Sequence, residues 1–210
     1  MSTRGQGELA ESAFQGAMAL VNQGDPTPEQ EREIVKLFRE AAKHDHPGAH
    51  YGLGICLLHG LGVRPNPRTA ADHFEAAAAG GHPGGHHHLG GCYETGHGRR
   101  KDERLAFQSY EAGAQTGYGP AVSELGRCLF FGIGTAEDKK RGIECFRRAA
   151  KAGDARAQFA LGRAYEFGDG LTKNRRHALR WYLRAAEGGD EEAADAVRQL
   201  SREIKGDPTK

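Results

Sequence analysis

One interval constrains this chain more than any other property: 36 residues. Leu-Gly recurs at Leu53-Gly54, Leu89-Gly90, Leu125-Gly126 and Leu161-Gly162, always at that spacing and with no insertion. Turn glycines follow in step at Gly60, Gly96, Gly132 and Gly168, and again at Gly62, Gly98, Gly134 and Gly170. A second aromatic register runs through Phe74, Tyr110, Phe146 and Tyr182, trailed by small pairs such as Ala149-Ala150 and Ala185-Ala186. Leu161 and Tyr165 stand four apart, as do Ala178 and Tyr182, which places each pair on one helical face. The glycines between them break the chain into a helix, a turn and a second helix. Two helices this short cannot bury their own apolar faces, so each unit needs its neighbours.

The register extends beyond the four clear copies. Ala13, Ala17 and Val21 lie 36 residues before Ala49, Leu53 and Leu57. This predicts a worn first helix from Ala13 to Gln23, with Asp25-Pro26-Thr27-Pro28 as its turn and a partner helix over Ile34–Lys43. At the other end Ala193, Val197, Leu200 and Ile204 form one stripe, which predicts a capping helix. The organisation that follows is a polar, frayed 1–12 and a single repeat domain over 13–205. Its repeats are expected at 13–48, 49–84, 85–120, 121–156 and 157–192, the capping helix at 193–205, and a flexible tail at 206–210. Asn66, Asp102, Asp138 and Asn174 are expected to cap second helices, and Asp154 and Asp190 the helices that follow.

The pattern Ala…Leu-Gly…Tyr…Gly-x-Gly…Asn/Asp…Ala…Tyr…Ala-Ala…Gly resembles the Sel-one-like repeat, a longer relative of the tetratricopeptide repeat. The resemblance spans roughly residues 13 to 205. It implies an all-α fold, a right-handed α-solenoid of five 36-residue helix-turn-helix repeats plus the capping helix, used as a protein-interaction scaffold or adaptor. It carries over no active site and no cofactor. Some relatives have paired cysteines that bridge the helices of each repeat, and those pairs are missing here.

Composition narrows the functional classes. A formal charge of +1 over 210 residues argues against a general nucleic-acid binder. No stretch reaches the ~18 apolar residues of a membrane span. The N-terminal residues lack an apolar signal core, so the expected compartment is the cytoplasm. Cys56, Cys92 and Cys128 hold equivalent places in successive repeats, about one helix spacing of ~8–10 Å apart, too far for a disulfide. Together with Cys145 they are expected as reduced, packed thiols. Gly-x-Ser-x-Gly, His-Glu-x-x-His and Cys-x-x-Cys are all missing from the sequence, and no enzyme is expected.

Three surfaces remain as candidates. If first helices line the inner side, as the resemblance implies, the residues beside the Leu-Gly stripe point into a concave groove. In the last two repeats these are Ser123, Glu124, Arg127, Phe130, Phe131, Phe159, Arg163, Glu166 and Phe167, and further back Tyr51, Ile55 and Leu58. Aromatic side chains with arginine are the usual anchors of protein interfaces, so the expected partner is another protein or a peptide. Packing of the same rings against the next repeat is the competing reading. A second candidate is metal: His46 and His50 recur as His82 and His86, two i, i+4 pairs on neighbouring helices that zinc, copper or nickel could bridge. Solvated capping histidines are the alternative. The third is a basic strip, with 13 basic against four acidic side chains between Lys139 and Arg184, repeated as Lys139/Arg175, Lys140/Arg176 and Arg148/Arg184.

The Leu-Gly glycines also call for a cause. A glycine inside a helix costs ~1 kcal/mol relative to alanine, and close approach of two helix backbones is the expected reason for four of them.

Overall fold

A computed structural model describes residues 3–206, with side chains from 5 to 204. The expected frayed end at 1–2 and tail at 207–210 lie outside the described residues. Among those described there are eleven helices and no strand. They fall into two compact units, residues 1–116 and 117–210.

The first unit holds α1 (Thr3–Val21), α2 (Pro28–Ala42), α3 (Pro47–His59), α4 (Pro67–Ala79), α5 (Pro83–Thr95) and α6 (Glu103–Gln115). α1 begins ten residues before the expected Ala13. Tertiary contacts override the weak local signal: Ala10 is buried, Glu11 reaches the His46 ring at 3.1 Å, and the Phe14 ring stacks on His46 with centroids 4.2 Å apart. α2 also starts earlier than expected, at Pro28. A capping box fixes it there: Gln30 N donates to Thr27 Oγ1 at 3.3 Å and Thr27 N donates to Gln30 Oε1 at 2.8 Å. Ile34, Val35, Phe38, Leu53 and Cys56 form one core cluster, and Leu57, Phe74, Leu89 and Cys92 the next.

The second unit holds α7 (Gly119–Phe131), α8 (Lys139–Lys151), α9 (Ala155–Phe167), α10 (Arg175–Glu187) and α11 (Glu191–Gly206). Its last layer is closed by α11, which lays Ala193 and Leu200 against Ala178, Tyr182 and Ala185. The aspartate and asparagine caps stand where the repeat register puts them. Asp138, Asp154, Asn174 and Asp190 each accept a bond from the backbone N–H three residues on.

In the pairs α3/α4, α5/α6, α7/α8 and α9/α10 the turn is made by a glycine at the end of the first helix. Gly60, Gly96, Gly132 and Gly168 have φ of 78°, 79°, 69° and 78°, in the left-handed region that other residues enter at a cost. At Gly126 two helix backbones do approach as expected, since a Cβ on Gly142 of α8 would sit 3.0 Å from the Gly126 carbonyl oxygen, but all four Leu-Gly glycines serve a further purpose. A Cβ on Gly90 would sit 2.6 Å from Cε1 of Tyr110, and one on Gly162 would sit 2.5 Å from Cδ1 of Tyr182. Gly54 faces Phe74 in the same way, and Gly126 faces Phe146. Each missing Cβ makes room for the aromatic ring of the second helix, so glycine and ring are two halves of one packing unit.

Candidate functional site

The groove residues of the second unit converge on one cavity of about 220 Å³. α7 supplies Ser123, Glu124, Arg127, Phe130 and Phe131, and α9 supplies Phe159, Arg163 and Phe167. Five further residues line it that the sequence reading missed: Phe146, Arg156 and Asp169, with Ala160 and Ala164 beside them. Arg156 lies on α9 at its first turn and Asp169 in the turn beyond α9, off the helical stripe used to choose candidates.

The aromatic residues divide by exposure. Phe130 is 6% exposed and packs against Phe146, with centroids 5.8 Å apart. It belongs to the floor, which decides for the core reading at this position. Phe131 and Phe167 are 60% and 62% exposed, an unusual state for phenylalanine at the rim of a cavity. Both sit in the last helical position before the left-handed glycine. That register carries His59 and Thr95 in the first unit, so the repeat alone does not impose a ring there.

Arginines frame the same rim. Arg127 Nε donates to Glu124 Oε2 at 2.7 Å, and Arg156 approaches the other Glu124 oxygen at 3.7 Å with its side chain 84% exposed. The Arg163 guanidinium lies 5.7 Å from the centroid of the Phe167 ring, within cation–π range. Asp169 is held by Lys139 at 2.7 Å. That hydrogen bond raises the Lys139 pKa above its ordinary value. Ser123 has a structural role: it is buried, and its hydroxyl donates to the capping carboxylate of Asp154 at 3.1 Å.

Glu166 points away from this cavity. It accepts the Tyr182 hydroxyl at 2.6 Å and lines a second, more open cavity of about 360 Å³ facing α11, which shares Phe159, Arg163 and Phe167 with the first. Burial first, and the carboxylate second, push the Tyr182 pKa far up.

Tyr51, Ile55 and Leu58 belong to the first unit and are partly buried against its core cluster. Tyr51 stacks on His82 with centroids 4.3 Å apart and shares a hydrogen bond with His88 at 3.3 Å. These three residues support the packing of that unit and do not join the cavity of the second.

The histidine pairs are arranged for packing. His46 is the N-cap of α3, its Nδ1 accepting from Ala49 N at 3.2 Å. His50 turns instead to His73 of α4, with Nδ1 atoms 2.9 Å apart. His82 stacks on Tyr51, and His88 on Phe74 at 4.9 Å. Among the described residues no three histidine, cysteine or acidic side chains, His86 included, are grouped to hold a metal ion. Burial lowers the pKa of His50, His73, His82 and His88, the last to about 4. All four cysteines are buried free thiols. On the basic strip, Lys140, Arg148, Arg176 and Arg184 are exposed, Arg175 meets Glu203 at 3.7 Å, and Arg184 lies over Trp181 at 4.9 Å.

The family model of the Sel1 repeat matches residues 47–82, 83–118, 119–154 and 155–190. The chain belongs to the Sel1 repeat family. The matched blocks are the helix pairs α3/α4, α5/α6, α7/α8 and α9/α10, and the pair α1/α2 lies outside them. Among solved structures, a Sel1 repeat protein from Oxalobacter formigenes superposes with a TM-score of 0.77 at 22% identity, over 93% of this chain and 75% of that one. A protective antigen of uropathogenic Escherichia coli strains, displaying an SLR fold, gives 0.75 at 26% identity, over 95% of this chain and 41% of its own. A cysteine-rich protein from Helicobacter pylori gives 0.50 at 19% identity, over 64% and 96%. No curated protein matches the sequence. Sel1 repeat proteins are in general non-catalytic scaffolds that bind other proteins. No described helix of this member is long and apolar enough to cross a membrane.

Proposed function

We propose that this Sel1 repeat protein is a non-catalytic adaptor that holds a peptide or protein segment in the groove between α7 and α9. One observation carries the reading: Phe131 and Phe167 stay about three-fifths exposed at the rim of a cavity whose floor, Phe130 and Phe146, is buried. Exposed rings beside arginines and an apolar floor are what a protein interface uses as anchors. Arg127 and Arg163 orient the bound segment, and Glu124 holds Arg127 in place. The compartment we read as the cytoplasm, since four buried free thiols suit a reducing environment.

The test is an affinity pull-down with the wild type and the double variant Phe131→Ser/Phe167→Ser, quantified by mass spectrometry. A specific partner retained by the wild type and lost from a variant of unchanged melting temperature supports the groove. An identical set of retained proteins overturns it.

A further inference from the structure

The groove repeats one small device twice. On α7, Arg127 stands four residues before Phe131, and on α9, Arg163 stands four before Phe167. At the same register the first unit has Ile55 with His59 and Gly91 with Thr95. The Arg-x-x-x-Phe element is therefore a property of the two repeats that share the cavity, and not of the repeat itself.

The charges around this device do not balance. Glu124 is engaged by Arg127 at 2.7 Å and by Arg156 at 3.7 Å. Asp169 is engaged by Lys139 at 2.7 Å. Among the described residues no carboxylate lies within ion-pair distance of Arg163, and Arg156 has only its long contact to Glu124. Both acidic side chains of the lining are thus committed, while two guanidinium groups keep free donors beside exposed phenylalanine rings. A guanidinium presents a planar fork that matches a carboxylate. Arg156 and Arg163 are both exposed, and a segment seated on the apolar floor covers them in part, which strengthens such a pair relative to one left in open water.

We infer that the segment held in this groove carries an aspartate or glutamate beside a bulky apolar side chain, the carboxylate meeting Arg163 or Arg156 and the apolar group seated between Phe131 and Phe167. The inference rests on the groove reading above. It names the ligand as an acidic peptide with a bulky apolar side chain, and a basic segment is disfavoured by the same arginines.

Displayed random 12-residue peptides selected on the immobilised full chain, with counter-selection on Phe131→Ser/Phe167→Ser, provide the test. The best binder is then made as a fluorescent peptide for anisotropy. Enriched sequences are expected to place Asp or Glu within two positions of Phe, Trp or Leu. Replacing that acid by Gln is expected to weaken binding to the wild type by about tenfold, and to change binding to Arg163→Ala/Arg156→Ala by less than about twofold, as a double-mutant cycle requires. Groove-dependent binders without an acid, or a Gln peptide that binds equally well, overturn the inference and leave the groove reading standing. Binders indifferent to Phe131→Ser/Phe167→Ser, or no enrichment over that variant, overturn both.

Discussion

The hydroxyl of Tyr182 donates to the carboxylate of Glu166, sixteen residues earlier, at 2.6 Å, and Tyr110 repeats the bond with Glu94 at 2.8 Å. Where the second-helix ring is Phe74 or Phe146, the residue sixteen earlier is Leu58 or Phe130. Acid follows tyrosine and an apolar residue follows phenylalanine, so one chain contains two solutions to the same packing problem. The choice shapes the surface as well: the Phe130/Phe146 version gives the cavity its apolar floor, and the Glu166/Tyr182 version puts a carboxylate in the lining of the neighbouring cavity.

That alternation predicts coupling. Glu166→Leu alone strands a buried tyrosine hydroxyl, at a cost of about 1–3 kcal/mol. Glu166→Leu with Tyr182→Phe reproduces the Leu58/Phe74 pair and is expected to recover most of the loss. A double-mutant cycle from denaturant unfolding should show a coupling of about 1 kcal/mol or more. Additive losses would mean that the hydrogen bond contributes nothing to stability.

The ring-facing glycines give a sharper contrast between neighbours. A Cβ on Gly90 meets the Tyr110 ring at 2.6 Å, whereas one on Gly91 finds only the Tyr110 hydroxyl oxygen at 3.8 Å. Gly90→Ala is expected to destabilise by about 1–3 kcal/mol through overpacking, despite alanine's better helix propensity. Gly91→Ala is expected to stabilise by up to about 1 kcal/mol. Gly126→Leu should be worse than either gain could offset, since even a Cβ there comes within 2.9 Å of Phe146. Thermal melts of the three variants decide the matter, and equal melting temperatures for the two alanine variants would refute the ring-seat explanation.

The histidines predict how stability depends on pH. Burial first, then the neighbouring His87, His59 and His82, lowers the pKa of His88 from 6.5 to about 4. His50, His73 and His82 are lowered in the same direction. The unfolded chain therefore takes up protons before the folded one. Stability is complete above about pH 6.5 and is lost as pH falls from there toward 4, with His88 contributing at most about 2 kcal/mol by pH 5. His88→Gln keeps an acceptor for Tyr51 and does not titrate, so its melting temperature should fall less between pH 7 and pH 5 than that of the wild type. Equal slopes would show that His88 already charges freely in the folded state.

The sequence exposed the helices through periodicity and the turns through glycine, because both follow from local chemistry repeated at a fixed interval. α1 and the start of α2 were less legible: Ala10 becomes buried, Glu11 meets His46, and Phe14 meets Phe38 and His46, only in three dimensions. The cavity was legible on α7 and α9, where the stripe beside Leu-Gly names eight of its residues. Arg156 and Asp169 escaped, since one sits at a helix start and the other in a turn, and neither shares that stripe. Side-chain exposure was out of reach altogether. Phe130 and Phe131 are adjacent in sequence, and one became floor and the other rim.

Those two neighbours give the most direct test of the groove. Phe130 is 6% exposed and its backbone lies against Gly142, so Phe130→Ser removes core and inserts a hydroxyl. Since Phe→Ala alone costs about 3–5 kcal/mol, the variant should melt far below the wild type. Phe131 is 60% exposed, and Phe131→Ser should change stability by no more than about 0.5 kcal/mol while weakening a groove-bound peptide by about 2 kcal/mol, as expected of an anchor. Melting temperature and peptide affinity should thus respond in opposite patterns to two substitutions one residue apart. Equal loss of stability in both would place Phe131 in the core. Unchanged affinity in a folded Phe131→Ser would move the search to the exposed cations Lys140, Arg148, Arg176 and Arg184.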